Sequence, residues 1–211
     1  RVIWGESLRN PRPNVEGAPS MAARAQWIWP PGGNPAASAP VEKVYFRRTL
    51  TLPEDVRIES ARALITADNS FELWINGRQA GQGQNFHQFY SFDVKDLLRP
   101  GPNALAVAAA NGGDSPNPAG LIGTLAVRHA SGDEQSVDTD SQWQAAREVG
   151  ENWTTESPSK GWTAATALGP LEMAPWGEPH ELVARHDIYP PSAAIVAILE
   201  RMGVTPDFTS T

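Results

Sequence analysis

The chain has 211 residues, with 17 Lys plus Arg against 24 Asp plus Glu, a formal net charge of −7. That balance excludes a sequence-independent nucleic-acid binder, which needs a basic face for phosphates. Cysteine is absent, so disulfides, thiol catalysis and Cys-ligated metals are excluded as well. The 18 glycines and 19 prolines make about 18% of the chain, against a usual ~12%. With eight tryptophans, this is the composition of a turn-rich antiparallel β protein. No apolar run approaches the ~20 residues of a membrane-spanning helix.

Residues 1–25 lack periodicity and carry Asn10-Pro11-Arg12-Pro13, so an extended Pro-rich arm is expected. Gln26–Trp29 is the first expected strand. Period-two alternation then sets in: Val44, Phe46, Leu50 and Leu52 on one face, Tyr45, Arg47, Thr49 and Thr51 on the other. Arg48 falls on the apolar face, which predicts a bulge or a buried ion pair there. Ala61, Ala63 and Ile65 mark a second strand; Phe71, Leu73 and Ile75 mark a third, ending in the hairpin signal Asn76-Gly77. Asp93–Leu98 reads as a helical turn capped by Asp93. In Ala104–Ala110 both faces are uncharged, as in a central strand covered on both sides. Leu121–Val127 is the next strand, and the Trp143, Trp153 and Trp162 segments are short strands or coil. Turns every 8–12 residues indicate an all-β sandwich over residues 26–177. In the tail, 178–211, Ser192 precedes Ile195, Ile198, Leu199 and Met202 at helical spacing, and Gly203 stops the run. A short amphipathic helix is expected there, too short to stand alone.

Several short motifs occur in one order: Trp27-Ile28-Trp29, Tyr45-Phe46-Arg47-Arg48, Asp68-Asn69 with Phe71–Gly77, Pro100-Gly101-Pro102-Asn103, Asn111-Gly112-Gly113, Gly169-Pro170 and Pro175-Trp176-Gly177. The order resembles the galactose-binding-like jelly-roll modules appended to bacterial α-L-rhamnosidases and related family 2-type glycoside hydrolases. The resemblance covers about residues 26–177. It implies a two-sheet jelly roll, often with a structural calcium, and in rhamnose-binding members an Asp-Asn pair near metal and sugar. The matching positions are Asp68 and Asn69.

Calcium takes six to eight oxygens, and Asp68, Asn69 and Asp114 are the candidate ligands. For a sugar the candidates are Asp68, Asn69, Trp74, His87 and Asn111. Trp74 alternates against Leu73 and Ile75, so it faces away from the core as a platform or a packed residue. A turn that hydrogen-bonds its own backbone is the competing reading of Asp68-Asn69. No Gly-x-Ser-x-Gly, phosphate loop or His-Glu-x-x-His occurs, and no catalytic residue is assigned. The first expectation is a non-catalytic, extracytoplasmic module, periplasmic or secreted, that binds carbohydrate. The alternative is an accessory subunit that clamps neighbouring protein chains of a larger assembly through residues 1–25 and 178–211. A detached part of a glycoside hydrolase stands third.

Overall fold

The computed structural model describes residues 24–155 and 161–177, and the backbone of Glu181–Ala184. The expected arm falls almost wholly, and the expected C-terminal helix entirely, outside the described residues.

Two sheets form a jelly-roll sandwich. One contains β1 (Gln26–Trp29), β3 (Ile58–Asp68), β6 (Gln88–Asp93), β8 (Gly120–His129), β9 (Glu134–Asp138), β12 (Thr166–Pro170) and β13 (Glu181–Ala184). Its order is β12-β1-β8-β3-β6-β13, with β9 also paired to β8. The other contains β2 (Glu42–Leu52), β4 (Ser70–Ile75), β5 (Arg78–Gly83), β7 (Gly101–Asn111), β10 (Gln144–Ala146) and β11 (Thr163–Ala164), in the order β11-β10-β2-β7-β4-β5. Every pairing is antiparallel except that of β13 with β6. β13 lies in the segment read from sequence as tail, so part of that tail returns to the sandwich as a strand.

The alternation dictates which rows meet. Val44, Phe46, Leu50 and Leu52 of β2 face Ala61, Ala63, Ile65 and Ala67 of β3 across the core, joined by Phe71, Leu73 and Ile75 of β4 and Leu105, Val107 and Ala109 of β7. β7 is central: it pairs with β2 from Glu42↔Asn111 to Leu52↔Gly101 without a break, and with β4 on its other side. Asn76 and Gly77 both take positive φ, 51° and 79°, which is the tight hairpin geometry their sequence predicts. The turn after β6 is a short 3-10 helix, Lys95–Leu97, and Asp93 Oδ1 accepts the Lys95 N–H at 3.1 Å.

Arg48 behaves differently from expectation. The β2–β7 register is unbroken, so there is no bulge. The side chain instead reaches the margin of the sandwich, where Nη2 donates to Gln142 Oε1 at 2.6 Å. A long side chain can keep its stem over apolar surface and its head in water, which removes the need for a buried partner.

Both outer faces are partly covered. On the seven-stranded sheet, Trp27, Leu64, Phe89 and Ile122 form a second apolar cluster under Trp176. On the six-stranded sheet, residues from the segment after β10 lie over β2: the Trp153 ring meets Tyr45 edge-on at 5.0 Å, and Trp162 sits 5.7 Å from the Arg47 guanidinium. Arg47 is 3% exposed beneath it.

Candidate functional site

The register gathers one end of the sandwich around Asp68. β3 ends at Asp68, which pairs with Gly120 at the start of β8. β4 begins at Ser70 opposite Ala110 near the end of β7. The turn between β5 and β6 brings Asn85, Phe86 and His87 to the same end: Thr66 Oγ1 donates to Asn85 O at 3.3 Å.

Asp68 lies in the outward row of β3 and is 5% exposed. The Trp176 indole N–H donates to its Oδ2 at 2.9 Å. Trp176 in turn stacks on Trp27 with centroids 4.2 Å apart. Gly120 makes this approach possible: a Cβ there would lie 2.8 Å from Trp27 Cε3 and 2.9 Å from Trp176 Cζ2. Among the described residues no hydrogen bond reaches Asp68 Oδ1. Burial raises the Asp68 carboxyl pKa above its ordinary 3.8, while the Trp176 N–H and the charge of His87 pull it down less strongly.

Asn69 follows through a cis peptide. Its Oδ1 accepts the Gly112 N–H at 2.5 Å, and its own N–H donates to Ala110 O at 2.8 Å. His87 is exposed; its ring lies 4.0 Å from that of Phe86, which packs on the Trp27 cluster. Asp68, Asn69 and His87 therefore share one loop end.

The remaining candidates lie apart. Asn111 belongs to the core-facing row of Leu105, Val107 and Ala109. Its Nδ2 donates to Ala39 O, Pro40 O and Asn117 O at 3.2, 2.9 and 3.3 Å, so it ties two loops together from inside; its Oδ1 is buried without a partner among the described residues. Trp74 is half-buried on the outer face of the other sheet, opposite Ala106. Asp114 is exposed in the loop between β7 and β8.

The expected calcium set supplies two carboxylates, Asp68 and Asp114, on separate segments, and one amide oxygen that accepts a backbone N–H, so backbone carbonyls and water would have to supply the rest of the six to eight oxygens the ion takes. Among the described residues no group of three or more His, Asp or Glu side chains is placed to hold an ion. What sequence reasoning missed is Trp176, which is not among the expected site residues although its indole binds the Asp68 carboxylate. The Pro175-Trp176-Gly177 motif was the available signal.

The ionisation of Asp68 has a consequence for stability. A folded pKa above the unfolded value favours the protonated carboxyl, so its contribution is present below 3.8 and is lost as pH rises through the folded value. Asp68→Asn keeps an acceptor for Trp176 and removes the charge. Its melting temperature should exceed that of the wild type at pH 7, with the gap closing on acidification toward pH 4. Thermal melts across that range check this; a constant gap would contradict it.

The fold and this loop end define a galactose-binding-like jelly-roll module, similar to domains of α-L-rhamnosidases and to a fungal lectin. The α-L-rhamnosidase of Streptomyces avermitilis is 35% identical over 175 residues, 79% of this chain and 16% of that enzyme. Its structure complexed with L-rhamnose superposes with a TM-score of 0.70 at 34% identity, over 77% of this chain and 16% of that one. The Pleurotus ostreatus lectin in complex with GalNAc gives a TM-score of 0.64 at 30% identity, over 74% of this chain and 44% of the lectin. The chain thus spans only a small part of the rhamnosidase's length. No protein-family model matches it. These relatives support a carbohydrate-associated β-sandwich module.

Proposed function

We propose that this chain is a non-catalytic carbohydrate-binding module that works outside the cytoplasm, with its site at the Asp68 loop end. The observation that carries this is the state of the Asp68 carboxylate. One oxygen is fixed by Trp176, and the other has no donor among the described residues, so it is an oriented acceptor for a sugar hydroxyl. Asn69 brings an amide and His87 an imidazole to the same end, giving the few convergent polar groups that orient a polyhydroxylated ligand. The ligands in the two relatives' structures support the class.

A catalytic role is disfavoured by the surroundings of Asp68. Glycosidases set a second carboxylate across the cleft, which would act on the first by like-charge repulsion. Among the described residues, burial, Trp176 and His87 are what act on Asp68, and no carboxylate does. The accessory-subunit reading rests on the two extensions; of these, the described strand β13 pairs with β6 of the sandwich, and nearly all of the rest lies outside the described residues.

Calorimetry of the full chain with L-rhamnose and with GalNAc tests the proposal. Dissociation constants between about 1 μM and 1 mM are expected, about −8 to −4 kcal/mol. Asp68→Ala should weaken binding at least ~10-fold, since a charge-assisted hydrogen bond is worth about 1.5–3 kcal/mol. The same titrations in chelator are expected to be unchanged. Absence of heat with either sugar, calcium added or not, would overturn the reading.

A further inference from the structure

The outer face of the six-stranded sheet carries a groove of about 130 Å³ among the described residues. At ~30 Å³ per water it holds about four waters, room for one face of a sugar ring with the rest projecting into solvent. Its floor is Ala108 and Ala110 of β7, whose neighbours on both sides carry longer side chains. Lys43 pairs with Ala110 from β2 and Glu72 with Ala108 from β4. These two long side chains meet across the floor, Lys43 Nζ to Glu72 Oε1 at 3.1 Å. Ser70 stands opposite Ala110, and Gln82 of β5 stands opposite Glu72. Gln84 completes the wall.

The hydrogen-bonding capacity of this groove is mostly unused. Glu72 Oε2, Ser70 Oγ, the Gln84 side-chain amide and Gln82 Nε2 have no partner among the described residues; Gln82 Oε1 accepts from Gln79 at 3.3 Å. The one cation and one anion compensate each other, so the groove selects for neither sign. A neutral pyranose fits these features. Its C–H face can lie on the Ala110 methyl beside the Lys43–Glu72 pair, while its hydroxyls donate to the Glu72 carboxylate and exchange hydrogen bonds with Lys43, Ser70 and the two glutamines.

We infer that this groove is a second saccharide subsite, on the opposite sheet from Asp68 and independent of it, with a neutral sugar unit as its ligand. Glu72 and Lys43 are its central contacts.

The test is a nitrogen-15 NMR titration of the full chain carrying Asp68→Ala, with methyl β-D-galactoside, methyl α-D-glucoside and methyl β-D-glucuronide. Saturable shifts are expected at the amides of Gln82, Gly83, Ala108 and Ala110 with at least one neutral glycoside. The added Glu72→Ala substitution, at a half-buried residue, should weaken them about tenfold. Ala110→Leu, which fills the floor, should abolish them with the rest of the spectrum retained. Shifts confined in the wild type to Asn69, His87 and Gly112, with none in the groove, would overturn the inference and leave the Asp68 reading intact. The reverse pattern would support the groove while removing that reading. Tighter binding of the glucuronide than of both neutral glycosides would overturn the ligand class.

Discussion

Trp176→Ala should melt about 10 °C below the wild type. Truncating a buried tryptophan costs about 3–5 kcal/mol, and about 2–4 °C accompanies each kcal/mol at this chain length. Two things are lost together. The stack on Trp27 disappears, opening a hole over the outer face of the seven-stranded sheet. The buried Asp68 carboxylate also loses its donor, which costs further because an unpaired charge remains desolvated. Trp176→Phe separates the two. It keeps most of the ring and loses only the donor, so its stability should improve when Asp68 is protonated at low pH, whereas the alanine variant should stay weak throughout. A Trp176→Ala melt within about 2 °C of the wild type, less than 1 kcal/mol, would show that the indole is a surface cover rather than a structural support.

Asn103→Ala should be nearly as damaging, at the opposite end of the molecule. Asn103 is fully buried. Its Nδ2 donates to Arg99 O at 2.7 Å and Gly101 O at 3.0 Å, and its Oδ1 accepts from Arg99 N at 2.9 Å and Asn76 Nδ2 at 2.8 Å. Asn76 also donates to Leu97 O and accepts from Ala104 N, each at 2.9 Å. This network holds the β4–β5 hairpin against the turn that enters β7. Alanine would strand several buried polar groups at about 1–3 kcal/mol each, so a loss of about 3 kcal/mol or more is expected. In urea the midpoint should fall with an unchanged slope. A midpoint close to that of the wild type would mean that water replaces the amide, which a fully buried side chain does not invite. Sugar binding at the far loop end should survive under native conditions.

What could be read from the sequence follows from the range of each interaction. The Asn76-Gly77 hairpin, the Asp93 turn and the alternating rows of β2, β3, β4 and β7 are local patterns, and each has its counterpart in the fold. Pairings between distant segments leave no such trace. Trp176 and Asp68 are 108 residues apart, and nothing in either neighbourhood specifies the other. Trp74 could be placed on an outward face, but its sheet and its distance from Asp68 depend on how β4 joins β7. Asn111 illustrates a different limit. Its proximity to Asp68 in the loop order says nothing about orientation, and strand parity puts its side chain between the sheets while Asp68 points outward. Arg48 was misjudged because a periodicity argument counts a face and ignores the length of the side chain that reaches off it. β13 offered too little to detect: four residues, and a parallel pairing that no hairpin turn announces.

That short parallel strand also changes how the molecule meets others of its kind. Without β13, one long margin of β6 would expose a row of unsatisfied amide and carbonyl groups, the kind of edge onto which another chain's strand can zip. By lying along Gln88–Ser91, the backbone of Glu181–Ala184 occupies that template. β13 is itself the terminal strand, so the sheet ends beside the loop that carries His87 on an edge of four residues rather than on the six of β6, and a very short edge offers little template for another chain's strand.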